Sequence, residues 1–321
     1  MAAGFGTDAW LGFAEESTYG TYVPATKFIE ITEESIECER SIISRPSLRT
    51  PSVTSVVQGK TSVSGSFKCQ LGYEGFDRLI KHTLGGTPTT TGTGPYTHSY
   101  TPTSALPTGL SFHLNRSAAS VGTGSAFKFM GCQIQSMTIS IAPEEEAMVE
   151  FSILGREFGN LNVETPTFPT LELLDWTGFS AFLGGNFDDY IKLRSFEITI
   201  DNSLADDRYN LGSGLRVGLG RNGPRKISGK FVTEFDSMNL FDEFRNQTTT
   251  NAGISGDFIF GNGKTGTDER RLSIFPYLYF ESVSMPVKDA GVILAEASFS
   301  CIGTSGNDEI TIQTMNSLAT I

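Results

Sequence analysis

Two glycine-rich segments have the residue types of phosphate-binding loops. Residues 218–223 have the spacing Gly-x-Gly-x-x-Gly, which binds a dinucleotide when a helix begins at the last glycine and points its N-terminus at the phosphates. Here Pro224, two basic residues and a strand pattern follow, so we do not expect a nucleotide site. Residues 261–265 resemble the end of a P-loop, but Phe258 stands where that motif requires its first glycine. We interpret this segment as a hairpin turn.

The three histidines lack the spacing of a metal or catalytic site. His82, His98 and His113 have no second histidine or cysteine at HxH, HxxxH or CxxC spacing, which would place two ligands on one metal. The chain also has no Gly-x-Ser-x-Gly segment to supply a nucleophilic serine. We therefore predict no enzyme activity, no catalytic residue, no metal and no cofactor, and we expect the histidines in loops or at the surface.

Acidic residues occur in short clusters. Two carboxylates can act as acid and base in glycoside hydrolysis only if they face each other across a cleft, which residue spacing does not show. The clusters also lack the spacing of a calcium-binding loop. We interpret them as solvated turns and faces or, alternatively, as the acidic lining of a channel. The clusters are residues 33–34, 144–146, 188–189 and 206–207.

The composition favours an acidic protein rich in strands. The chain has 321 residues, a net charge of −12 and a pI near 4.8. Only 19% of its residues are charged and 38% are hydrophobic, and Gly, Ser and Thr fill the difference, as is typical of many short strands and turns. Because binding to the DNA backbone requires Lys and Arg to displace counterions, DNA would pass such a surface without adhering. The alternative interpretation is that the negative charge serves only to keep the protein soluble.

The cysteine spacing and the distribution of apolar residues indicate the compartment in which the protein resides. Cys38, Cys69, Cys132 and Cys301 lack CxxC spacing, so we predict free thiols in a reducing compartment. No basic stretch precedes an apolar run near the amino terminus, and no run approaches 18 apolar residues. We expect neither a secretory signal nor a membrane span.

Several sequence patterns occur twice in the same order. Each early pattern has the form Trp-x-Gly-Phe, each middle one has a Ser-Gly-x-Phe core, and each late one has the form Phe-Ser-x-x-Gly. The middle glycines, Gly65 and Gly229, are 164 residues apart. We infer an internal duplication, which has to be recognised before the fold is interpreted. The matched segments are 10–13 with 176–179, 63–67 with 227–231, and 151–155 with 299–303.

The predicted elements form two similar halves. Alternating apolar residues predict antiparallel strands that include 147–154 and 194–201. The apolar residues of 76–84 are spaced as one helical stripe that Gly85 ends, and Leu240 and Phe244 mark a second short helix. The predicted fold class is therefore mainly β, with two tandem antiparallel β-sandwich domains that can form a barrel, each flanked by one short helix.

Composition shifts predict the boundaries of these halves. We place the first domain at residues 1–159, a linker at 160–170 and the second domain at 171–321. Within the first domain we predict a long loop over 41–61 and a Thr- and Gly-rich loop over 83–108. The counterpart of the first loop is predicted at 204–224.

The chain resembles the major tail tube proteins of long-tailed, siphovirus-like bacteriophages. The resemblance begins with Gly-Phe-Ala-Glu-Glu-Ser-Thr-Tyr-Gly-Thr at 12–21 and Pro-Ala-Thr-Lys-Phe at 24–28. It continues through the acidic strand at 33–37, Leu48-Arg49 in a basic loop, the 63–67 strand and the helix that Gly85 ends. It covers nearly the whole chain through short structural motifs and includes no catalytic signature.

The resemblance implies a structural virion protein assembled in the host cytoplasm. In this family six β-sandwich units close a ring, the inner sheets join into one barrel, and rings stack through loops and arms into a hollow tube. The implied partners are further copies of the chain, the tape measure protein, DNA passing without sequence-specific binding, and tail tip and terminator proteins, with no membrane. A duplicated chain implies a trimeric, pseudo-hexameric ring.

Two sets of residues are candidate contacts on this interpretation. The long loops are expected to meet the next ring, and the acidic residues of alternating strands are expected to line the lumen and repel DNA phosphates. The inter-ring candidates are Arg45, Arg49, Arg208 and Arg216, and the lumen candidates are Glu33, Glu37, Glu150, Glu197 and Asp201.

Two other classes of function remain open at this point. A two-domain β-sandwich adhesin or carbohydrate-binding module predicts a stable monomer with exposed aromatic residues clustered in one cleft. A β-rich hydrolase predicts a pocket that joins distant carboxylates. The duplication, the long basic loops and the missing secretion signal favour the tube.

Overall fold

The computed structural model describes residues 6–46, 48–116, 126–169, 171–184, 190–218, 220–247, 253–287, 290–303 and 308–321. The acidic cluster at 188–189 lies outside these residues. The described chain is mainly β and antiparallel with two short α-helices, which confirms the predicted fold class. The helices are α1 (Asp77–Leu84) and α2 (Asn239–Asn246).

The strands have the following bounds: β1 (Ala9–Glu15), β2 (Lys27–Glu30), β3 (Glu33–Glu34), β4 (Glu37–Arg45), β5 (Ser55–Gln70), β6 (Thr89–Thr91), β7 (Tyr96–Tyr100), β8 (Leu110–Arg116), β9 (Ala126–Ile141), β10 (Met148–Gly155), β11 (Glu157–Leu161), β12 (Phe179–Leu183), β13 (Tyr190–Ile191), β14 (Leu193–Asp201), β15 (Lys226–Glu234), β16 (Ile254–Gly261), β17 (Arg271–Ser284), β18 (Leu294–Cys301) and β19 (Ile310–Asn316).

One antiparallel sheet, here called the long sheet, runs through both halves of the chain. Its strands lie in the order β4–β5–β10–β9–β14–β15–β18–β17, and β3 also pairs with β5. The halves meet where residues 136–141 of β9 pair with residues 196–201 of β14, with Ile139 opposite Ile198. A continuous ladder of main-chain hydrogen bonds therefore links the two halves.

β9 and β17 each belong to two sheets. The first part of β9 pairs with β8 and β11, and its last part pairs with β10 and β14. β17 likewise pairs first with β16 and β19 and then with β18. Each of these strands contains one extra residue that forms a β-bulge: Gln135 in β9, opposite β10, and Glu281 in β17, opposite β18. Such bulges bend the strand. The outer sheets are β2–β1–β8–β9–β11 and β13–β12–β16–β17–β19–β7–β6.

The strand pairings of the first half recur in the second. Gly65 lies opposite Ile153, and Gly229 lies opposite Phe299. If Gly65 corresponds to Gly229, as the sequence predicts, these registers match Ile153 rather than Phe151 with Phe299, two residues from the predicted match of 151–155 with 299–303. Because strand side chains alternate with period two, a shift of two keeps the same residues facing inward, and the apolar pattern alone does not detect it.

Alternating side chains build the core on one side of the long sheet. Phe151 and Ile153 of β10 are at most 1% exposed, and Phe196 and Ile198 of β14 are at most 2% exposed. The predicted alternation is confirmed in both strands. Burying each such side chain stabilises the fold by roughly 1.5–3 kcal/mol, and these residues belong to one core cluster that includes both halves.

The two helices lie where they were predicted. α1 buries its apolar stripe and ends at Gly85, whose φ of 91° is left-handed, while α2 buries Leu240. Asp77 at the start of α1 is buried and accepts hydrogen bonds from Tyr100 Oη at 2.8 Å and Thr314 Oγ1 at 2.6 Å. Because Thr314 lies on β19, this carboxylate ties the helix of the first half to the last strand of the second.

Two segments predicted as long loops form hairpins instead. In the 41–61 segment, β4 and β5 pair as far as Arg45 and Ser55, so the tip contains Pro46 and residues 48–54 among the described residues. The 83–108 segment contains β6 and β7, and β7 pairs with β19. The prolines and glycines that indicated loops lie mainly at the tips and ends, whereas the Thr, Val and Ile residues between them pair readily as strands.

Replacing Gly229 by alanine will destabilise the long sheet. A Cβ there would lie 2.5 Å from the carbonyl oxygen of Glu197 and 2.5 Å from Cζ of Phe299. We expect Gly229→Ala to lower the free energy of unfolding by about 1–3 kcal/mol, measured by urea denaturation. The control is Gly261→Ala, where no heavy atom lies within 4 Å of the added Cβ. Equal effects of the two changes would contradict this account of the packing.

Candidate functional site: the polar face of the long sheet

The face of the long sheet opposite the core is polar across both halves. Its residues alternate along each strand with the buried residues of the core, and strand register arranges them in rows. One row is Glu33, Lys68, Glu150, Thr138, Thr199, Ser228 and Ser300. The next row is Gln70, Met148, Ser140, Glu197, Lys230, Ser298 and Ser282. The fold thus presents a broad surface of hydroxyl, carboxylate and ammonium groups.

Three of the carboxylates predicted to line a lumen lie in these two rows. Glu33 and Glu150 are both opposite Lys68 and both exposed. Glu197 is opposite Lys230, whose Nζ lies 3.4 Å from the Glu197 carboxylate. Ion pairs this exposed contribute at most about 1 kcal/mol. The charges therefore shape the potential of the surface more than they stabilise the fold.

The other two predicted carboxylates lie on the same face. Glu37 belongs to β4 and Asp201 to β14, where Asp201 accepts a hydrogen bond of 2.7 Å from the N–H of Ser203. The structure therefore brings all five to one surface. Glu39 and Glu296 share this surface and were not predicted. Their alternation with residues of the opposite face was the signal that could have found them.

The four arginines predicted to contact another ring are separated. Arg45 and Arg49 are exposed at the hairpin tip, and Arg208 is exposed in the 204–224 segment. Arg216 is only 5% exposed, so the expectation of a surface contact is wrong for this residue. Its guanidinium lies near Tyr19. Burial raises the pKa of Tyr19 to about 12, and the positive charge of Arg216 opposes that shift.

The described part of the 204–224 segment folds back onto the first half. The N–H of Thr61 donates to the carbonyl oxygen of Gly214 at 2.7 Å, and the hydroxyl of Tyr209 donates to the carbonyl oxygen of Thr61 at 3.1 Å. Arg221 donates to the carbonyl oxygen of Ser104 at 2.8 Å. This segment is therefore anchored within the chain, in part on β5, whereas the tip of the β4–β5 hairpin, in the segment predicted to be its counterpart, is exposed.

The histidines are buried, so the expectation of loop or surface histidines is wrong. His98 and His113 are fully buried, and His82 on α1 is 4% exposed. His82 Nε2 lies 2.9 Å from Glu15, and because a carboxylate only accepts, Nε2 carries the proton. The hydrogen bond from His82, opposed by burial and reinforced by Lys81, lowers the pKa of Glu15 from 4.5 to about 2. The cluster holds β1 against α1.

An open depression brings together carboxylates from two segments. Residues 144–146, in the turn before β10, lie beside Asp175 and Trp176, and Trp176 is 47% exposed. The hydrolase and sugar-binding alternatives predicted such features. Among the described residues that line the depression, however, Trp176 is the only aromatic, and a sugar-binding cleft built from several aromatic residues is not formed there.

The described residues lack two further kinds of feature. They contain no group of three or more His, Cys, Asp and Glu side chains placed to hold a metal ion. No helix in the described part of the chain is long and apolar enough to cross a membrane.

The fold and its surfaces define a class of protein. A sheet that runs through two halves, a broad polar face and a projecting hairpin are features of a β-structured assembly subunit. Residues 6–301 match the family model described as phage tail tube protein. The chain therefore belongs to the phage tail tube protein family and is a structural component of the phage tail, as its resemblance predicted. No curated protein matches it.

Charge removal on the polar face will leave the fold intact, whereas truncation on the core face will not. We expect Glu197→Gln to change the free energy of unfolding by less than about 0.5 kcal/mol. Its neighbour Ile198 is 2% exposed, and Ile198→Ala should cost about 2–5 kcal/mol. Urea denaturation measures both. A loss for Glu197→Gln as large as that for Ile198→Ala would show that the acidic face is needed for folding.

Acid will remove the stabilisation that Glu15 provides. Because the folded-state pKa of Glu15 is depressed to about 2, its contribution is complete above pH 4.5 and disappears as pH falls toward 2. We expect Glu15→Gln to cost on the order of 2 kcal/mol at pH 7, allowing for solvent screening. Urea denaturation at pH 7, 4.5 and 3 tests this, with the exposed Glu39→Gln as control. A cost for Glu15→Gln that is independent of pH would contradict the assignment.

Proposed function

We propose that copies of this chain close into rings with the polar face of the long sheet turned inward, and that the rings stack into the tail tube that conducts DNA into the host. The observation that carries the proposal is the continuity of that face. It extends from β4 to the last strands of the sheet across both halves. The opposite face is buried in the core from the second part of β5 through β18, whereas β4 is exposed on both faces.

Carboxylates on an inward face suit the passage of DNA. Proteins hold the DNA backbone through Lys and Arg that neutralise phosphates, and carboxylates repel the same groups. In the proposed tube, Glu33, Glu37, Glu150, Glu197 and Asp201 supply this negative charge. The Ser and Thr hydroxyls between them keep the wall hydrated, and DNA slides through without sequence-specific binding.

Three chains complete each ring in this proposal. The recurring strand pairings support two copies of one tube unit per chain, carried by residues 1–159 and 171–321 and joined by the linker 160–170. If a ring contains six units, three duplicated chains supply them. The ring is then a trimer with pseudo-sixfold symmetry.

The β4–β5 hairpin is the proposed contact between rings. Arg45 and Arg49 lie at its tip. At the far end of β5, Gln70 donates a hydrogen bond to Glu146 in the acidic turn 144–146, so this turn and the tip lie at opposite ends of the sheet. Rings stacked in one direction bring the basic tip of one ring toward the acidic end of the next, with Arg208 as a further contact.

The other proposed partners follow from family membership. The tape measure protein occupies the lumen before DNA, tail tip and terminator proteins bound the two ends of the tube, and assembly takes place in the host cytoplasm. Sugar binding by a two-domain module is the second candidate, because the exposed Trp176 lies beside carboxylates. Glycan screening of the purified monomer tests that candidate directly.

Electron microscopy of the purified protein at rising concentration tests the ring. We expect rings or hollow tubes whose rings contain three chains, because two tube units per chain make six. Rings containing six whole chains would overturn the trimer while keeping the tube. A protein that stays monomeric when supplied with tail tip complexes would argue against the tube and favour the sugar-binding candidate.

A further inference from the structure

The joint between the two halves supplies a template for contact between copies. In it, β9 and β14 pair edge to edge with Ile139 opposite Ile198 and Thr138 opposite Thr199. The Oγ1 atoms of the two threonines lie 2.9 Å apart on the polar face. In the order of the long sheet, the joint is thus a pairing between the last strand of the first half, β9, and the first strand of the second half, β14.

The counterparts of these two strands are edges without a neighbour in the described chain. On one side of β17, pairing with β16 ends at Leu278, and the residues that follow pair only with β18 on the other side. At the other end of the sheet, β3 and β4 pair only with β5. Unpaired strand edges expose a row of N–H and C=O groups that favour pairing with another strand.

Strand register identifies which residues of these edges correspond to the joint. We compare the pairing of β9 with β10 and of β17 with β18, each of which contains one bulge. In this comparison Met137 corresponds to Val283, and Thr138 corresponds to Ser284. The β5 and β15 registers make Glu37 the counterpart of Thr199. If the free edges of two copies pair in the same register as β9 and β14, Ser284 of one copy lies opposite Glu37 of the other.

We propose that residues 282–286 of one copy pair antiparallel with residues 35–39 of the next, with Ser284 opposite Glu37, so that the long sheet continues from chain to chain. This inference rests on the proposed function and names the surface that closes the ring. Its occupant is a second copy of the chain.

The exposure of side chains at the β17 edge supports this occupant. Ile141, at the end of β9 beside β14, is 6% exposed, whereas its counterpart Val287 is 72% exposed. An apolar side chain that is covered at the internal joint is therefore open at the free edge. Pairing with a second copy would cover it as the joint covers Ile141.

A buried amide beside the same edge lacks an acceptor. Gln247 is 4% exposed, and its Oε1 accepts the N–H of Phe280 at 2.8 Å, while its Nε2 has no hydrogen-bond partner among the described residues. Phe280 corresponds to Ile134, whose carbonyl oxygen accepts a 3.1 Å hydrogen bond from Asn202, just beyond β14. An arriving strand would bring carbonyl oxygens to this place and relieve the cost of an unsatisfied donor.

The opposite edge is covered by an ion pair in the single chain. The N–H of Ser35 donates to Ser66 of β5 at 2.8 Å, so the main-chain groups of the next residue, Ile36, point away from β5. Glu34 accepts the N–H of Ile36 at 3.0 Å, and Arg116 donates to the carbonyl oxygen of Ile36 at 2.7 Å. Arg116 Nε lies 2.6 Å from the carboxylate of Glu34, so the two side chains form an ion pair over Ile36. Pairing between copies needs these same groups, so the Glu34–Arg116 pair must leave Ile36 before the edge can bind.

A cysteine cross-link tests the edge pairing. The double variant Glu37→Cys/Ser284→Cys, in a Cys38→Ser background, is oxidised under conditions in which wild-type protein forms rings. We expect a covalent product of three chains on a non-reducing gel. In the control Glu33→Cys/Ser284→Cys, one thiol is four residues away from the proposed register, and we expect no covalent product of three chains. The pair Glu39→Cys/Ser282→Cys, also directly opposite in the proposed register, gives a second test if the first variant folds poorly.

The outcomes separate this inference from the proposed function. If rings form but neither matched cysteine pair cross-links, the edge pairing is overturned and the proposed tube stands. If the wild-type protein forms no rings, the edge pairing and the proposed function are both overturned. For the ion pair, Glu34→Ala should speed ring formation about tenfold, the effect of removing roughly 1.4 kcal/mol of competing hydrogen bonding, and Glu33→Ala should not. An unchanged rate for Glu34→Ala would show that the pair does not restrain assembly.

Discussion

Main-chain pairing between β9 and β14 is the interaction on which the rest of the structure depends. It places Ile139 and Ile198 in a common core and Thr138 and Thr199 on a common polar face. Because neighbouring residues of a strand point to opposite faces, a shift by one residue would turn apolar side chains to water and polar ones to the core. The register of this one joint therefore determines that the two halves share both a core and a surface.

The two faces of the long sheet have separate physical roles. On the core face, aromatic and branched side chains such as Phe151 and Phe196 are removed from water, and their burial holds the sheet against its outer layers. On the polar face, carboxylates such as Glu150 remain exposed and contribute little to stability. A surface that the fold does not need for stability is free to carry the charge that the proposed lumen requires.

The ends of the sheet present the opposite problem, because open strand edges favour uncontrolled pairing. The chain manages one of these edges by local means, because the Glu34–Arg116 pair occupies the main-chain groups of Ile36. Main-chain hydrogen bonding between strands joins the two halves, and it would also join copies of the chain. Folding and the proposed assembly therefore depend on the same interaction. What distinguishes them is whether the second strand belongs to the same chain.

Local patterns in the sequence determined the mainly β fold, the two short helices and the acidic strand faces. Alternation and helical spacing depend on neighbouring residues, so the alternating faces of β10 and β14 and the α1 stripe that Gly85 ends were predicted correctly. Contacts between distant residues were decided only by the tertiary structure. The sequence did not indicate that 41–61 pairs as a hairpin, that Arg216 is buried, or that Asn202 reaches across to Ile134. Register, burial and edge pairing depend on which strands become neighbours, and that is settled by packing the whole chain around one core.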